Sequence, residues 1–169
     1  KDQRLTTKDN VILFDFAASW NSYCADMTRT VFFGKAKPEL KKMYETVRKA
    51  QEKAILYLSE VEPGFTNEKQ PQVRFNLTSQ VDQIARDYII SQGFSSIPHS
   101  TGHGIGLQVH ELPHVSPNEK TILQPGMTIT VEPGIYNPKI GGVRIEDDVL
   151  ITKTGIEVLT KSKKELIEI

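Results

Sequence analysis

The first part of the chain alternates short β-rich runs with turn signals. Val11 to Phe16 is an apolar run that predicts a buried strand, and Thr28 to Phe33 predicts a second one. The segment from Trp20 to Tyr23 between them is typical of a turn. Gly34 to Pro38 then interrupts the pattern. The chain is therefore predicted to begin with a β-hairpin.

Two stretches with helical spacing follow. Pro38 suits the first turn of a helix, where its missing N–H costs nothing, and this helix is predicted to end before Pro63-Gly64. Its apolar positions are Leu40, Met43, Val47, Ala50, Ala54 and Leu58. The polar stretch from Phe65 to Leu77 predicts a loop. Thr78 is predicted to cap a second helix that Gly93 ends. Its apolar face comprises Val81, Ile84, Ala85, Tyr88 and Ile89.

From Ile97 onward the pattern predicts strands and turns. The predicted strands are Gly104 to His110, Met127 to Tyr136, Val143 to Ile151 and a short one near Glu157. The order of two strands, two helices and further strands predicts an α+β domain. We expect the helices to cover one face of a curved antiparallel sheet.

Composition narrows the class of protein. The 169 residues contain 21 Lys and Arg against 21 Asp and Glu, so neither nucleic acid nor an anionic membrane is expected as partner. No apolar stretch approaches the ~20 residues of a membrane span. Cys24 is the only cysteine, which excludes an intrachain disulfide and favours a reducing compartment, the cytoplasm. The chain begins with Lys1 rather than Met, as a processed or truncated protein would.

Candidate chemistry begins with two aspartates in the predicted hairpin. A turn at Trp20-Asn21 would set Asp15 and Asp26 directly opposite each other, with Cβ atoms ~5 Å apart. Facing carboxylates repel each other unless a cation lies between them. The alternative is a pair of exposed hairpin acids without a ligand.

Histidines form the second group. His99, His103 and His110 fall within twelve positions, and His114 follows. Glycines around His103 let the backbone approach a ligand closely. A strand here would send alternate side chains into one cleft. A cluster of loop histidines without a ligand is the alternative.

Two glutamates form the third group. Glu132 lies within an apolar strand, where an unpaired carboxylate would be costly, and Glu146 is expected opposite it across a hairpin. Arg144 lies two residues before Glu146 and so shares its face. The alternative is a structural Arg–Glu pair with strand-end acids. Asp147 is expected to point to the other face, and Asp148 to be a strand or loop acid.

Four carboxylates and one imidazole on adjacent strands would make an oxygen-rich site. Such a set suits two divalent ions. Mn²⁺ or Co²⁺ is the first expectation, and Zn²⁺ or Fe²⁺ is the alternative. In this order the residues resemble the five-ligand signature of the pita-bread metallopeptidases. The matching ligands are Asp15, Asp26, His103, Glu132 and Glu146.

The surrounding motifs resemble the Xaa-Pro dipeptidase and aminopeptidase P branch of that family. They are Asp-Met-Thr-Arg-Thr, Gly-His-Gly-Ile-Gly, Val-Glu-Pro-Gly-Ile-Tyr and Gly-Gly-Val-Arg-Ile-Glu-Asp. Methionine aminopeptidases share the ligands but usually lack Arg144 and the Pro-Gly-Ile-Tyr segment. The resemblance implies hydrolysis of peptide bonds adjacent to proline. Methionine aminopeptidase and a catalytically inactive binding module of the same fold are the alternatives.

The resemblance also implies roles for individual residues. Asp15 would hold one metal, His103 with Glu132 the other, and Asp26 with Glu146 would bridge both. A hydroxide between the metals would be the nucleophile. The catalytic role of Glu132 would be to shuttle the proton. His110 and His99 would bind the substrate and the tetrahedral intermediate. Arg144 would orient the site.

Family resemblance further implies that residues 1–169 are the C-terminal part of a pita-bread catalytic domain. The first repeat and any N-terminal domain would be missing, so we expect completion by an N-terminal segment or by a homo-oligomer. The loop from Glu111 to Ile122 offers only His114 and Lys120 where relatives often place an Arg for the carboxylate of a dipeptide. Dipeptide specificity therefore stays open.

Overall fold

The computed structural model describes residues 11–59 and 77–169. The helices and strands follow the predicted order of two strands, two helices and further strands, so the α+β prediction is confirmed. They are β1 Val11–Trp20, β2 Tyr23–Phe32, α1 Pro38–Ser59, α2 Thr78–Ser91, β3 Gly102–Gly104, β4 Glu111–Val115, β5 Thr128–Val131, β6 Gly134–Asn137, β7 Gly141–Arg144, β8 Asp147–Thr152 and β9 Gly155–Val158. The predicted loop from Phe65 lies outside the described residues up to its last residue, Leu77.

Strands β1 and β2 form a hairpin with a two-residue turn at Asn21 and Ser22. Both turn residues have positive φ, 47° and 69°. Two consecutive residues with positive φ give the turn whose twist matches a tight hairpin. The turn centre therefore lies one position beyond the predicted Trp20-Asn21.

This shift changes how the two hairpin aspartates face each other. Asp15 pairs with Thr28, and Asp26 pairs with Ala17. The prediction that the two aspartates are directly opposite is thus wrong: they are diagonal neighbours. Diagonal neighbours still share one face of the hairpin, because side chains alternate along each strand.

Both helices bury the faces that the sequence predicts. The six apolar positions of α1 are at most 1% exposed. On α2, Val81, Ala85 and Ile89 are completely buried, and the other two predicted residues, Ile84 and Tyr88, are half-buried. The helix ends before Gly93, whose φ is 85°. The predicted cap is wrong, because Thr78 lies inside the helix and its hydroxyl has no hydrogen-bond partner among the described residues. The Gln80 side chain instead accepts from the backbone N–H of Leu77.

The remaining strands form a five-stranded sheet in the order β4-β3-β5-β8-β9 and a two-stranded sheet of β6 and β7. Neighbouring strands pair antiparallel throughout. Helix α1 packs against β5, β6, β7 and β9. The core therefore lies between the helices and the sheets, and among the described residues no helix is long and apolar enough to cross a membrane.

Two long predicted strands are each broken near a glutamate. The first breaks at Glu132-Pro133 and the second at Ile145-Glu146. Proline has no N–H to donate to a β-ladder. The backbone N–H of Glu132 donates instead to Thr101 O at 2.7 Å, and the backbone N–H of Glu146 donates to Thr28 O at 3.1 Å. At both breaks the backbone therefore bonds to a third segment.

The prediction of a strand from Gly104 to His110 is also wrong. Only Gly102–Gly104 is a strand, and residues 105–110 form a compact loop. The N–H of Gly106 donates to Gln108 O, and the N–H of Gln108 donates to the Glu111 carboxylate. These local bonds replace a ladder partner and turn the chain back toward β4.

Candidate metal centre

Five acidic and histidine side chains meet where the hairpin lies against the ends of the other strands. Asp15 and Asp26 come from β1 and β2, His103 from β3, and Glu132 and Glu146 from the two strand breaks. Within each of three overlapping sets, potential ligand atoms lie no more than 4.8 Å apart. These sets are Asp15, Asp26 and Glu146; His103, Glu132 and Glu146; and Asp26, His103 and His110. The structure therefore gathers all five predicted ligands, whose role as ligands stays a prediction.

The two glutamates reach this cluster from corresponding positions of neighbouring segments. Val131 pairs with Asp147 on one side of the breaks, and Gly134 pairs with Arg144 on the other. Glu132 and Glu146 occupy the matching positions between these two pairs. The sequence expectation that they lie across from each other agrees with this register.

His103 presents one ring nitrogen to the carboxylates. Its Nδ1 lies 3.0 Å from the carbonyl oxygen of Gly104, so Nδ1 is the protonated, donating nitrogen. Its Nε2 lies 3.5 Å from Glu132 Oε1 and 3.9 Å from Asp26 Oδ2. Burial lowers the pKa of His103 below its ordinary value, which favours the neutral ring. A neutral imidazole held by a backbone carbonyl is the form that binds a metal through its other nitrogen.

The glutamates are strongly perturbed by their surroundings. Burial raises the pKa of Glu132 to about 7 and that of Glu146 to about 8. The Glu132 and Asp26 charges raise the pKa of Glu146 further, while the Thr28 hydroxyl donates to its Oε2 at 2.6 Å and opposes the shift. The carboxylates of Asp15, Asp26, Glu132 and Glu146, together with the neutral imidazole of His103, fit two divalent ions.

Arg144 connects the hairpin to the glutamates. Its Nη2 forms a close ion pair with Asp15 Oδ2, and its Nε donates to Thr28 Oγ1 at 3.1 Å. The same Nε lies 3.8 Å from Glu132 Oε2. The guanidinium therefore contacts a predicted ligand, the geometry that an orienting role requires.

His99 pairs with a tyrosine at the edge of the cluster. Its Nδ1 lies 2.7 Å from Ser100 O and its Nε2 lies 2.9 Å from the Tyr136 hydroxyl. Because a carbonyl can only accept, Nδ1 donates to Ser100 and the Tyr136 hydroxyl donates to Nε2. Burial lowers the pKa of His99 and raises that of Tyr136, so both are neutral here. Arg144 Nη1 also lies 3.4 Å from the Tyr136 hydroxyl.

His110 belongs to the loop before β4 and not to a strand. Its ring meets that of His103 edge-on, with centroids 4.5 Å apart. His99, His110 and His114 line an open cavity of about 360 Å³ whose other walls include all five predicted ligands. The predicted substrate-binding histidines thus face the same space as the acidic cluster.

A larger cavity of about 670 Å³ lies beside the opposite face of the hairpin. Its walls are mostly apolar and include Phe16, Met27 and Leu159. Of the five predicted ligands only Asp26 borders it. The titratable cluster makes the smaller cavity the candidate centre for chemistry.

Sequence reasoning missed two residues of the centre, Thr28 and Tyr136. Both lie inside recognised motifs, Asp-Met-Thr-Arg-Thr and Pro-Gly-Ile-Tyr, but a lone hydroxyl does not reveal its partner. Asp147 points away from the cluster, as expected, and pairs with Arg29 at 2.6 Å. Asp148 lies closer to the acidic cluster than an ordinary strand acid would, because its Oδ2 accepts from the backbone N–H of Asp26 at 3.1 Å.

Comparison with known proteins places this chain in a family. A model described as metallopeptidase family M24 matches residues 1–153, so the chain belongs to this family, and divalent metal ions are implied. It is 44% identical over 167 residues to a Xaa-Pro dipeptidase of Pyrococcus horikoshii, which covers 98% of this chain. The chain spans about 43% of the length of the curated relatives it matches.

Solved structures support the same fold. A crystal structure of a dipeptidase from Pyrococcus horikoshii matches 94% of this chain and 41% of its own, with a TM-score of 0.83 and 41% identity. An X-Pro aminopeptidase from Thermotoga maritima matches 94% of this chain and 42% of its own, with a TM-score of 0.81 and 35% identity. The predicted pita-bread fold is confirmed.

Proposed function

We propose that the protein is a proline-directed metallo-exopeptidase that uses two divalent ions. The observation that carries this proposal is the convergence of Asp15, Asp26, His103, Glu132 and Glu146 on one cavity. The likeness to proteins named Xaa-Pro dipeptidase and X-Pro aminopeptidase supports proline as the specificity element. The inactive binding module is disfavoured because family members of that kind usually lose ligands.

The overlap of the three donor sets supports the assignment of ligands. Asp15 belongs only to the set with Asp26 and Glu146, which suits one ion, while His103 and Glu132 form the set that suits the other. Glu146 belongs to both of these sets, and Asp26 also lies near His103. Asp26 and Glu146 would therefore be the two ligands that both ions share. The ions, when bound, would lower the pKa of water and polarise the scissile carbonyl.

The chain's own groups would move the proton and hold the substrate. Glu132, which lies in one of the donor sets, would accept a proton from water and return it to the leaving amine. His110 and His99 line the cavity and offer imidazole hydrogen bonds to a substrate or to the tetrahedral intermediate. The Tyr136 hydroxyl fixes the ring of His99. Arg144 holds Asp15 in place.

The test is turnover, by the complete protein, of Xaa-Pro dipeptides against Xaa-Pro-Yaa tripeptides with Mn²⁺ supplied. We expect hydrolysis that a chelator abolishes and that Mn²⁺ restores. Preference for the tripeptide would agree with the lack of an Arg in the loop from Glu111 to Ile122. Cleavage of Met-Ala peptides but of neither proline substrate would indicate methionine aminopeptidase, and no turnover with metal bound would indicate the binding module.

Metal is expected to stabilise the fold. The acidic side chains repel one another without a cation, and a ligand that binds only the folded state adds ~2.7 kcal/mol at a hundredfold excess over Kd. Adding Mn²⁺ or Co²⁺ should therefore raise the melting temperature clearly, and the rise should be smaller in Asp26→Ala. The control is Asp87→Ala, because Asp87 lies on the exposed side of α2 and bonds only to Gln83 among the contacts described. Equal melting curves with metal and with chelator would contradict a formed site.

We further propose that this chain is completed by another part of the protein or by a second copy. Strand β1 is apolar, yet seven of its ten residues are exposed, and Trp20 and Tyr23 at the hairpin tip are 81% and 66% exposed. Phe14 and Phe16 are exposed as well. Apolar faces of this kind seldom stay in contact with water. The chain's 43% share of its relatives' length supports the same view.

Solution size tests this proposal. The 19.0 kDa chain studied alone is expected to sediment as an oligomer or to associate in a concentration-dependent way, and to have little peptidase activity. Trp20→Ser and Tyr23→Ser together should weaken the association, because both side chains lie on the exposed hairpin tip. A stable and fully active monomer would contradict the proposal.

A further inference from the structure

Arg29 belongs to the Asp-Met-Thr-Arg-Thr motif but takes no part in the proposed chemistry. On β2 it follows Thr28 and so points to the face opposite the acidic cluster, where it is buried. All five of its N–H donors find acceptors at 2.6 to 3.0 Å. The acceptors are Thr28 O, Glu146 O, Asp147 Oδ1, Ser162 O and Lys163 O.

Asp147 extends this network toward α1. Its Oδ1 accepts from Arg29, and its Oδ2 lies 2.7 Å from Lys164 Nζ. The same ammonium group donates to Gln51 Oε1, and Gln51 Nε2 lies within 3.4 Å of the carbonyl oxygens of Val131 and Ile145. Val131 precedes Glu132, and Ile145 precedes Glu146. The network thus holds the backbone next to both glutamates from the face opposite the acidic cluster.

The position of this network matters because the candidate metal centre is divided between separate sheets. Asp15 and Asp26 lie on the β1–β2 hairpin, which forms its own two-stranded sheet. His103 lies in the five-stranded sheet, and Glu132 and Glu146 lie at the breaks beside it. No strand ladder joins the hairpin to the five-stranded sheet within the described ranges. Isolated bonds must therefore set the distance between the two halves of the centre.

Arg29 provides several of these bonds at the place where the halves meet. One nitrogen, Nη1, donates to the carbonyl of Thr28 in the hairpin and to that of Glu146 at the strand break. The N–H of Glu146 donates to the same Thr28 carbonyl. Asp147, covalently next to Glu146, holds the guanidinium in this position. The planar guanidinium offers five N–H donors in fixed directions, whereas a lysine ammonium offers three on one nitrogen and cannot meet all five acceptors of Arg29.

We infer that the Arg29–Asp147 pair positions the carboxylates of Asp26 and Glu146 for two metal ions. The inference rests on the proposed dinuclear site. Arg29 and Asp147 are positioning residues, since neither points into the cavity. Their effect is to fix the spacing of the two bridging side chains across the junction of the sheets.

The test measures Mn²⁺ binding by titration calorimetry and by electron paramagnetic resonance, on protein shown to be folded by circular dichroism. Arg29→Lys keeps the positive charge but loses the planar guanidinium. Asp147→Asn keeps the size and shape of the side chain but loses the negative charge. We expect each to bind Mn²⁺ about tenfold more weakly and to lose the spin-coupled signal of a metal pair. Arg48→Lys is the matched control, because Arg48 pairs only with Glu45 and Glu52 on α1 in the described contacts and should change the affinity less than about twofold.

Each outcome has a separate meaning. Folded Arg29→Lys protein with wild-type affinity and a wild-type signal overturns the inference, even if its melting temperature falls, and leaves the metal site standing. If Arg29→Lys does not fold, Lys164→Met decides, since Lys164 is partly exposed and its loss frees one side of Asp147. An unchanged affinity in Lys164→Met then overturns the inference, and a weakened one supports it. A wild-type protein that binds no Mn²⁺ overturns both the site and the inference.

Discussion

Glu132→Gln is expected to reduce peptide hydrolysis by at least about a thousandfold. The variant loses a negatively charged donor from the set that contains His103 and Glu146, and it loses the group proposed to carry the proton. General acid–base catalysis alone contributes about 10²- to 10⁴-fold. The amide has nearly the same size as the carboxyl group, so the fold should be retained. Turnover of a proline peptide by the complete protein with saturating Mn²⁺ is the measurement.

Two variants make this result specific. Glu157→Gln makes the same chemical change on β9, where Glu157 is exposed and belongs to none of the three donor sets, and it should leave turnover unchanged. His103→Ala removes the only imidazole in that metal set and should be as inactive as Glu132→Gln for a different reason. A folded Glu132→Gln protein with wild-type turnover would remove Glu132 from the mechanism.

The helices could be predicted from the sequence because their signals are local. In α1 the apolar positions recur at helical spacing and Pro38 begins the helix, so neither depends on other parts of the fold. The cap of α2 could not be predicted in this way. The Thr78 hydroxyl would have been a suitable cap, but the helix begins at Thr78 itself, and the backbone N–H of Thr78 donates to Thr121 O, a residue distant in the sequence.

The strands show where local signals end. The hairpin register was wrong by one turn position because Trp20-Asn21 and Asn21-Ser22 are both plausible turn centres, and the backbone φ angles distinguish them. The error moved the aspartates to diagonal positions but kept them on one face. By contrast, the breaks at Glu132 and Glu146 depend on bonds to Thr101 and Thr28, which are distant in sequence. No periodicity reveals such partners.

The residues of the candidate site that could be predicted from the sequence are those with charged or imidazole side chains within recognised motifs. All five predicted ligands lie in the cluster, and His99, His110 and Arg144 lie around it. Thr28 and Tyr136 were missed because a hydroxyl takes its role from the group it meets. The contacts of Arg29 could not be predicted because its acceptors come from three segments that are distant in the sequence, at Thr28, at Glu146 and Asp147, and at Ser162 and Lys163.

The pH dependence of stability is expected to reverse sign when metal binds. In the metal-free fold the pKa values of Glu132 and Glu146 are raised to about 7 and about 8, well above their ordinary values. Between the ordinary value and the raised one, the folded state holds protons that the unfolded state has lost. The free energy of unfolding therefore falls as pH rises through this range. The lowered pKa values of His99 and His103 act in the opposite direction, mainly below about pH 6.5, so the glutamates dominate the range from pH 6.5 to 8.

Urea unfolding at pH 6.5 and pH 8, in chelator and in Mn²⁺, measures the effect. One retained proton over this range is worth about 2 kcal/mol, so the metal-free protein should be less stable by about that amount at pH 8. In Mn²⁺ the same carboxyl groups must be ionised to bind, so stability should rise with pH instead. Glu146→Gln is the internal control, because it removes the group with the highest of the raised carboxyl pKa values and should flatten the metal-free dependence. If stability in chelator rises from pH 6.5 to 8, the glutamates are already ionised in the metal-free fold, and their burial does not favour the protonated form.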